Sequence, residues 1–144
     1  MLPAGVERIF LVIFENRTSE IGIENDLAAA LANTFTTIGN KDVLVNNRQS
    51  ADAELTGAIT KIEIYTVSRR TETVSAERRV LITASARLIS TDGRTLWQSD
   101  ALSVTQAYSV APDNQETEAD RRGAIRDASI LLADKIYNNM TSNF

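Results

Sequence analysis

The side chains able to do chemistry are few in kind. The chain of 144 residues contains no Cys and no His, which removes thiolate nucleophiles, disulfides, sulfur and imidazole metal sites and the usual neutral-pH acid–base group. A serine nucleophile would then need a lysine base. The only lysines, Lys41, Lys61 and Lys135, stand in no Ser-x-x-Lys arrangement. Carboxylates gather at Glu116, Glu118 and Asp120, but there they open an expected helix, whose positive end favours acidic groups anyway. Asp92 belongs to a turn that uses Asp for its own hydrogen bonds. No loop has the alternating acidic pattern of an EF-hand, and the six glycines are isolated, so no phosphate-cradling loop exists. No catalytic site and no metal site is assigned.

Arginine is more informative. Three lysines among fifteen basic residues leave twelve arginines. Arg69-Arg70 and Arg78-Arg79 flank a polar stretch, Thr71 to Glu77. If that stretch turns the chain, the segments Asp52–Ser68 and Val80–Ile89 form one long hairpin with all four arginines near its tip. A turn centred between Thr73 and Val74 sets Arg69 across from Arg78, and opposed like charges destabilise a sheet. Guanidinium groups grip phosphate in a bidentate fork, so Arg69, Arg70, Arg78 and Arg79 are the candidate ligand-binding residues. The plainer alternative is a solvated tip balanced by Glu72 and Glu77.

The elements that must position these residues follow from hydrophobic periodicity. Arg8 to Phe14 is a continuous apolar run and reads as a strand buried on both faces. Ile23, Leu27, Ala30, Leu31, Thr34, Phe35 and Ile38 keep the spacing of one helical face, and Gly39-Asn40 is expected to end that helix in a left-handed conformation. A short strand over Asp42–Val45 comes next. Within Asp52–Ser68 the apolar phase switches near Gly57–Thr60, which predicts a bulge. In Val80–Ile89, Val80, Ile82, Ala84, Ala86 and Leu88 share one side. Thr91-Asp92-Gly93-Arg94 signals a hairpin turn into a strand from Leu96 to about Ala107. Leu96 is expected inward, in phase with Leu102 and Val104, with Trp97 partly exposed. A polar connection over Tyr108–Glu116 leads to a helix over Glu118–Asn139, with Thr117 as N-cap and Ile125, Ala128, Leu132, Ile136 and Met140 as its buried stripe.

The predicted order is β-α-β-β-β-β-α. The fold class is α/β in the α+β sense: a two-layer sandwich with two helices on one face of a mixed sheet and a long central hairpin. The length suits a single domain over residues 1–144. Hydrophobic residues at 43% and charged residues at 24% are ordinary for a globular chain. The net charge of -4 lacks the basic excess that neutralises nucleic-acid phosphates. No apolar run reaches the ~20 residues of a spanning helix, and the first residues do not form a signal peptide.

With these elements in order, the sequence resembles the lipopolysaccharide-assembly lipoproteins of the LptE family. The resemblance runs from Leu2-Pro3 and the close Phe14-Glu15-Asn16-Arg17-Thr18 through Gly22-Ile23-Glu24 and Ala51-Asp52-Ala53-Glu54-Leu55-Thr56-Gly57-Ala58-Ile59. It continues at Tyr108-Ser109-Val110 and Arg121-Arg122-Gly123-Ala124-Ile125 and reaches Phe144. It implies a non-enzymatic Gram-negative lipoprotein on the periplasmic side of the outer membrane, without cofactor. Its implied partners are the outer-membrane β-barrel of the lipopolysaccharide translocon, which it plugs and helps assemble, and lipopolysaccharide itself. The family's signal peptide and lipidated Cys are expected to precede this numbering, so the lipid anchor lies outside the sequence. Basic residues near strand tips are the family's ligand contacts, and the four tip arginines are their nearest equivalents here. A rival resemblance, to peptidoglycan-synthase activators and the amino-terminal domain of the Tol–Pal translocation protein, shares the apolar first strand and the Ala-Asp strand start. It implies a protein-binding module.

Overall fold

In the computed structural model, which describes residues 2–3, 5–68, 76–110 and 118–142, only Ile9–Leu11 of the apolar run at the start is strand, and a second short strand follows the run. β1 (Ile9–Leu11) and β2 (Glu15–Asn16) both pair in parallel with β4 (Ala53–Ser68), one after the other along its length. The reason lies in spacing. Ile9 and Phe14 are both buried, yet five positions apart they would point to opposite faces of a regular strand. The chain resolves this by leaving the ladder between them, which exposes Ile13 to 58%. The expected strand buried on both faces is therefore corrected. Phe10 is only half-buried, sheltered on its outer side by the Arg48 guanidinium, 5.4 Å from its ring centre.

α1 (Ile23–Thr34) follows a compact turn. Asn16 Oδ1 accepts from the Thr18 amide at 2.9 Å and the Thr18 hydroxyl at 2.7 Å, while Asn16 Nδ2 donates to the Glu20 carbonyl at 2.7 Å. Gly22 then enters the helix at φ 94°, a left-handed value that glycine adopts without penalty. At the far end the expectation for Gly39 fails. The helix widens into a π-turn over Phe35–Gly39, and the glycine there does not have positive φ. What Gly39 provides is room, because a Cβ would stand 3.2 Å from the Tyr137 hydroxyl. Phe35 packs edge-on against the same Tyr137 ring, with centroids 5.0 Å apart.

β3 (Leu44–Val45) lies outside β1 at one edge, and a 3₁₀ turn over Arg48–Ser50 leads into β4. β4, β5 (Ala76–Ser90) and β6 (Thr95–Val110) form an antiparallel meander, giving the sheet order β3-β1-β4-β5-β6. The predicted bulge in β4 is present: Ile59 pairs with Ala84 and Lys61 with Thr83, leaving Thr60 as the extra residue. Gly93, at φ 91°, makes the turn between β5 and β6. α2 (Glu118–Ser142) closes the chain with Ile125, Ala128, Leu132, Ile136 and Met140 all buried, as the periodicity requires.

Both helices pack against each other and share one core with the inward phase of β5, whose Val80, Ile82, Ala84, Ala86 and Leu88 are wholly covered. The mixed sheet with two helices on one face is the expected α+β architecture. Trp97 departs from expectation. It is 6% exposed, opposite Leu88, and its indole N–H donates to Asn139 Oδ1 at 3.1 Å. Two bulges in β6 cause this. Leu96 is the extra residue between the pairs Ile89–Thr95 and Leu88–Trp97, and one more intervenes between Ser99 and Leu102. Trp97 and Leu102 therefore face the same way although they differ by an odd number of positions.

Candidate functional site

The hairpin tip is built by β4 and β5, which run past the helix-covered core toward residues 69–75. Arg69 and Arg70, with Glu72, lie outside the described residues. Arg78 and Arg79 lie within β5, both half-buried. The observed register places Thr66 opposite Arg78 and Tyr65 opposite Arg79, with a second irregularity at Val67. Arg78 thus faces a neutral Thr66, whereas the turn expected between Thr73 and Val74 falls outside the described residues. On the other side, Arg78 meets Tyr108 and Arg79 meets Ala107 of β6.

Alternation along β5 separates the two side chains. Arg78 shares the phase of Val80 on the helix side, whereas Arg79 shares the phase of Leu81 on the open side. Arg79 donates to Glu77 Oε2 at 3.3 Å, with both side chains about 40% exposed. A pair so wet is worth ~1 kcal/mol or less, so an incoming phosphate would meet little competition. Each arginine can present a charged fork to an anion, but from opposite faces of the strand.

A second charged cluster joins the starts of the two helices, and no sequence spacing announces it. Arg121 and Arg122, which the sequence singled out only as the opening of the last helix, both reach Glu20. Arg122 Nη1 is 3.1 Å from Glu20 Oε2 and its Nη2 is 3.1 Å from Asp26 Oδ2. Arg121 donates to Glu20 Oε1, and its other branch holds Glu118 at 2.6 Å. The Glu20 side chain is only 12% exposed. The network ties the start of α2 to the start of α1 across about a hundred residues of sequence. Glu118 is thereby accounted for: the Arg121 hydrogen bond holds its carboxyl below the ordinary value. The same partners push the Arg121 guanidinium further toward its charged form. No spacing rule connects Glu20 to Arg121, which is why the sequence did not reveal the pair.

Asp52, inside the Ala-Asp strand start, also has a structural task. Its Oδ2 accepts from the amides of Glu7 and Arg8, each at 2.9 Å, anchoring the chain that enters β1 to the head of β4. Those bonds to the ionised form hold its carboxyl below the ordinary value. At the opposite hairpin, Asp92 accepts from the Ser90 hydroxyl and from Arg94, which lowers its carboxyl in the same way. Both carboxylates serve the fold. Glu116 lies outside the described residues. Among the described residues no group of three or more Asp or Glu converges to hold a metal ion. No described helix is long and apolar enough to cross a membrane.

Comparison with known proteins places this geometry in a family. Residues 6–140 match the family model LptE, described as lipopolysaccharide-assembly. No curated protein matches. Among solved structures, a putative lipoprotein from Caulobacter crescentus superposes with a TM-score of 0.59 at 13% identity, covering 90% of this chain and 88% of that one. The rare lipoprotein B from Shewanella oneidensis gives 0.56 at 15% identity, with 93% and 95% covered. The PelC dodecamer from Paraburkholderia phytofirmans gives 0.57 at 16% identity, with 94% and 89% covered. At such identities these structures share the fold alone. The family model spans nearly the whole described fold, from the entry to β1 to the end of α2, and on that match the chain belongs to the LptE family of lipopolysaccharide-assembly lipoproteins.

Proposed function

We propose that this chain is the lipoprotein component of the outer-membrane lipopolysaccharide translocon. It acts without catalysis, plugging its partner β-barrel, assisting the barrel's assembly and binding lipopolysaccharide from the periplasmic side, held to the outer membrane by a lipid anchor. The observation that carries this reading is the family match over residues 6–140. The chemistry of the chain agrees with it: without His or Cys it lacks the common catalytic groups, while its surface is rich in guanidinium. Arg69, Arg70, Arg78 and Arg79 contact the lipopolysaccharide phosphates. With Arg78 and Arg79 on opposite faces of β5, they address the ligand from two sides of the sheet and not from one flat patch.

A charge-assisted bond to phosphate contributes roughly 1.5–3 kcal/mol when partly desolvated. Replacing all four arginines by Gln should therefore weaken lipopolysaccharide binding by ~10²-fold at low salt, with a smaller difference at high salt as screening takes over. Affinity measured for wild type and the fourfold variant at both salt concentrations tests the assignment. Unchanged affinity in the variant would leave the tip a solvated hairpin end and move the ligand elsewhere.

A further inference from the structure

The sheet face opposite the helices carries a cleft of about 510 Å³ between β2 and β6. Two irregularities create it. β2 stands apart from β1 because the chain dips inward at Phe14, whose ring lies beneath Gly57. That strand position must be glycine, since a Cβ would fall 2.1 Å from the Ser85 carbonyl oxygen and 2.7 Å from Phe14 Cε2. On the far side, the bulge between Ser99 and Leu102 brings Asp100 to the rim. Across the floor, register sets Thr56, Arg87 and Gln98 side by side on three adjacent strands, with Ser85 next to them.

The charges in this cleft are unequally satisfied. The Glu15 carboxylate holds Arg17 at 3.0 Å, and Asp100 accepts from Gln98 Nε2 at 3.1 Å. Arg87 is exposed, and among the described residues no carboxylate lies within ion-pair distance of it. Its guanidinium therefore offers five donors in a fixed fork to an external anion. A bare phosphate would gain that fork but meet two carboxylates and leave most of the cleft empty. A ligand with one anionic group and several hydroxyls uses the rest, because carboxylates and the Ser85 hydroxyl accept sugar O–H groups well. Ile13, exposed at the rim, offers an apolar surface to the C–H face of a sugar ring.

We propose that this open-face cleft binds a phosphorylated sugar, with Arg87 holding the phosphate and Glu15, Asp100 and Ser85 receiving ring hydroxyls. The site is separate from the hairpin tip and requires neither the tip arginines nor a barrel partner. Its ligand has two sources with the same chemistry: a free sugar phosphate, or the phosphorylated core saccharide of lipopolysaccharide.

The test is a titration followed by ¹⁵N amide resonances, with glucose 1-phosphate, inorganic phosphate, methyl glucoside and a lipid-free phosphorylated core oligosaccharide as separate probes. Glucose 1-phosphate should shift the amides of Thr56, Ser85, Arg87 and Gln98, and bind more tightly than either phosphate or the glucoside. Arg87→Gln, at an exposed position, should keep the wild-type melting temperature and weaken binding about tenfold. The double variant Arg78→Gln, Arg79→Gln should bind glucose 1-phosphate as wild type does, whatever its effect on intact lipopolysaccharide. Tighter binding of the core oligosaccharide than of glucose 1-phosphate would identify lipopolysaccharide as the source, and equal or weaker binding a free sugar phosphate. Inorganic phosphate binding as tightly as the sugar phosphate, shifts confined to other residues, or an Arg87→Gln variant indistinguishable from wild type would each overturn the proposal.

Discussion

The two faces of β5 show how one strand divides its work. On the helix side, Val80, Ile82, Ala84, Ala86 and Leu88 have no exposed surface, and the alanines let α2 lie close to the sheet. On the other side, Leu81, Thr83, Ser85 and Arg87 remain partly or fully exposed, and all but Ser85 pair with polar residues on both β4 and β6. The covered face is set by volume and tolerates little change, because packed interiors lose both transfer energy and contacts when atoms are removed. The open face contributes little to stability and is free to carry recognition. The open face and the tip are free to carry recognition, while the covered face sets where they stand.

Adjacent positions of β5 give the most direct challenge to that division. Leu88→Ala should destabilise the protein by ~2–5 kcal/mol in urea unfolding, since Leu88 packs opposite Trp97 under α2. Arg87→Ala, one residue away on the open face, should stay within ~0.5 kcal/mol of wild type. Similar losses for the two would erase the contrast between the faces.

Charged groups sharpen the comparison, because here the covered side also uses ions. Glu20→Gln leaves two arginines sharing a neutral amide in a mostly covered site, and should cost about 1–3 kcal/mol. Glu15→Gln, which breaks the exposed pair with Arg17, should change stability by less than ~0.5 kcal/mol. Equal effects in thermal or chemical unfolding would mean that the Glu20 network is merely a surface feature.

A smaller effect, visible through pH, belongs to Asp52. Its carboxyl is lowered in the folded state by the Glu7 and Arg8 amides, so the ionised form stabilises the fold. That contribution is full above the pH where the unfolded carboxyl titrates, and it is lost as pH falls through the folded value. Wild type should exceed Asp52→Asn by about 1 kcal/mol at neutral pH, a modest figure because the group is exposed to water. The gap should close on acidification. A gap independent of pH would assign the effect to shape and not to charge.

Much of this fold was legible because periodicity survives wherever strands and helices are regular. The inward phase of β5, the stripe of α2 and the bulge at Thr60 could all be read from residue type and spacing. What escaped lies at irregularities that leave no compositional trace. Trp97 reads as outward because nothing in Ser99-Asp100-Ala101 announces an extra residue. Phe14 sat in an apolar run whose break is dictated by Gly57 on another strand. Gly39 matched the residue type of a left-handed helix end, yet the π-turn and the Tyr137 ring set its role. The tip arginines are legible as a cluster in sequence and alternation splits Arg78 from Arg79, but turn length alone does not give the register that sets Thr66 opposite Arg78. Arg87, the central residue of the open-face cleft, carries no signal in sequence, since its neighbours Thr56 and Gln98 come from different strands.

The central claim, that this chain is the lipoprotein partner of a lipopolysaccharide translocon barrel, is tested most directly by co-expressing it with the cognate barrel and purifying through a tag on this chain. A stable one-to-one complex that survives detergent extraction and size-exclusion chromatography is the expected result. Recovery of a peptidoglycan synthase without the barrel, or of this chain alone, would contradict it.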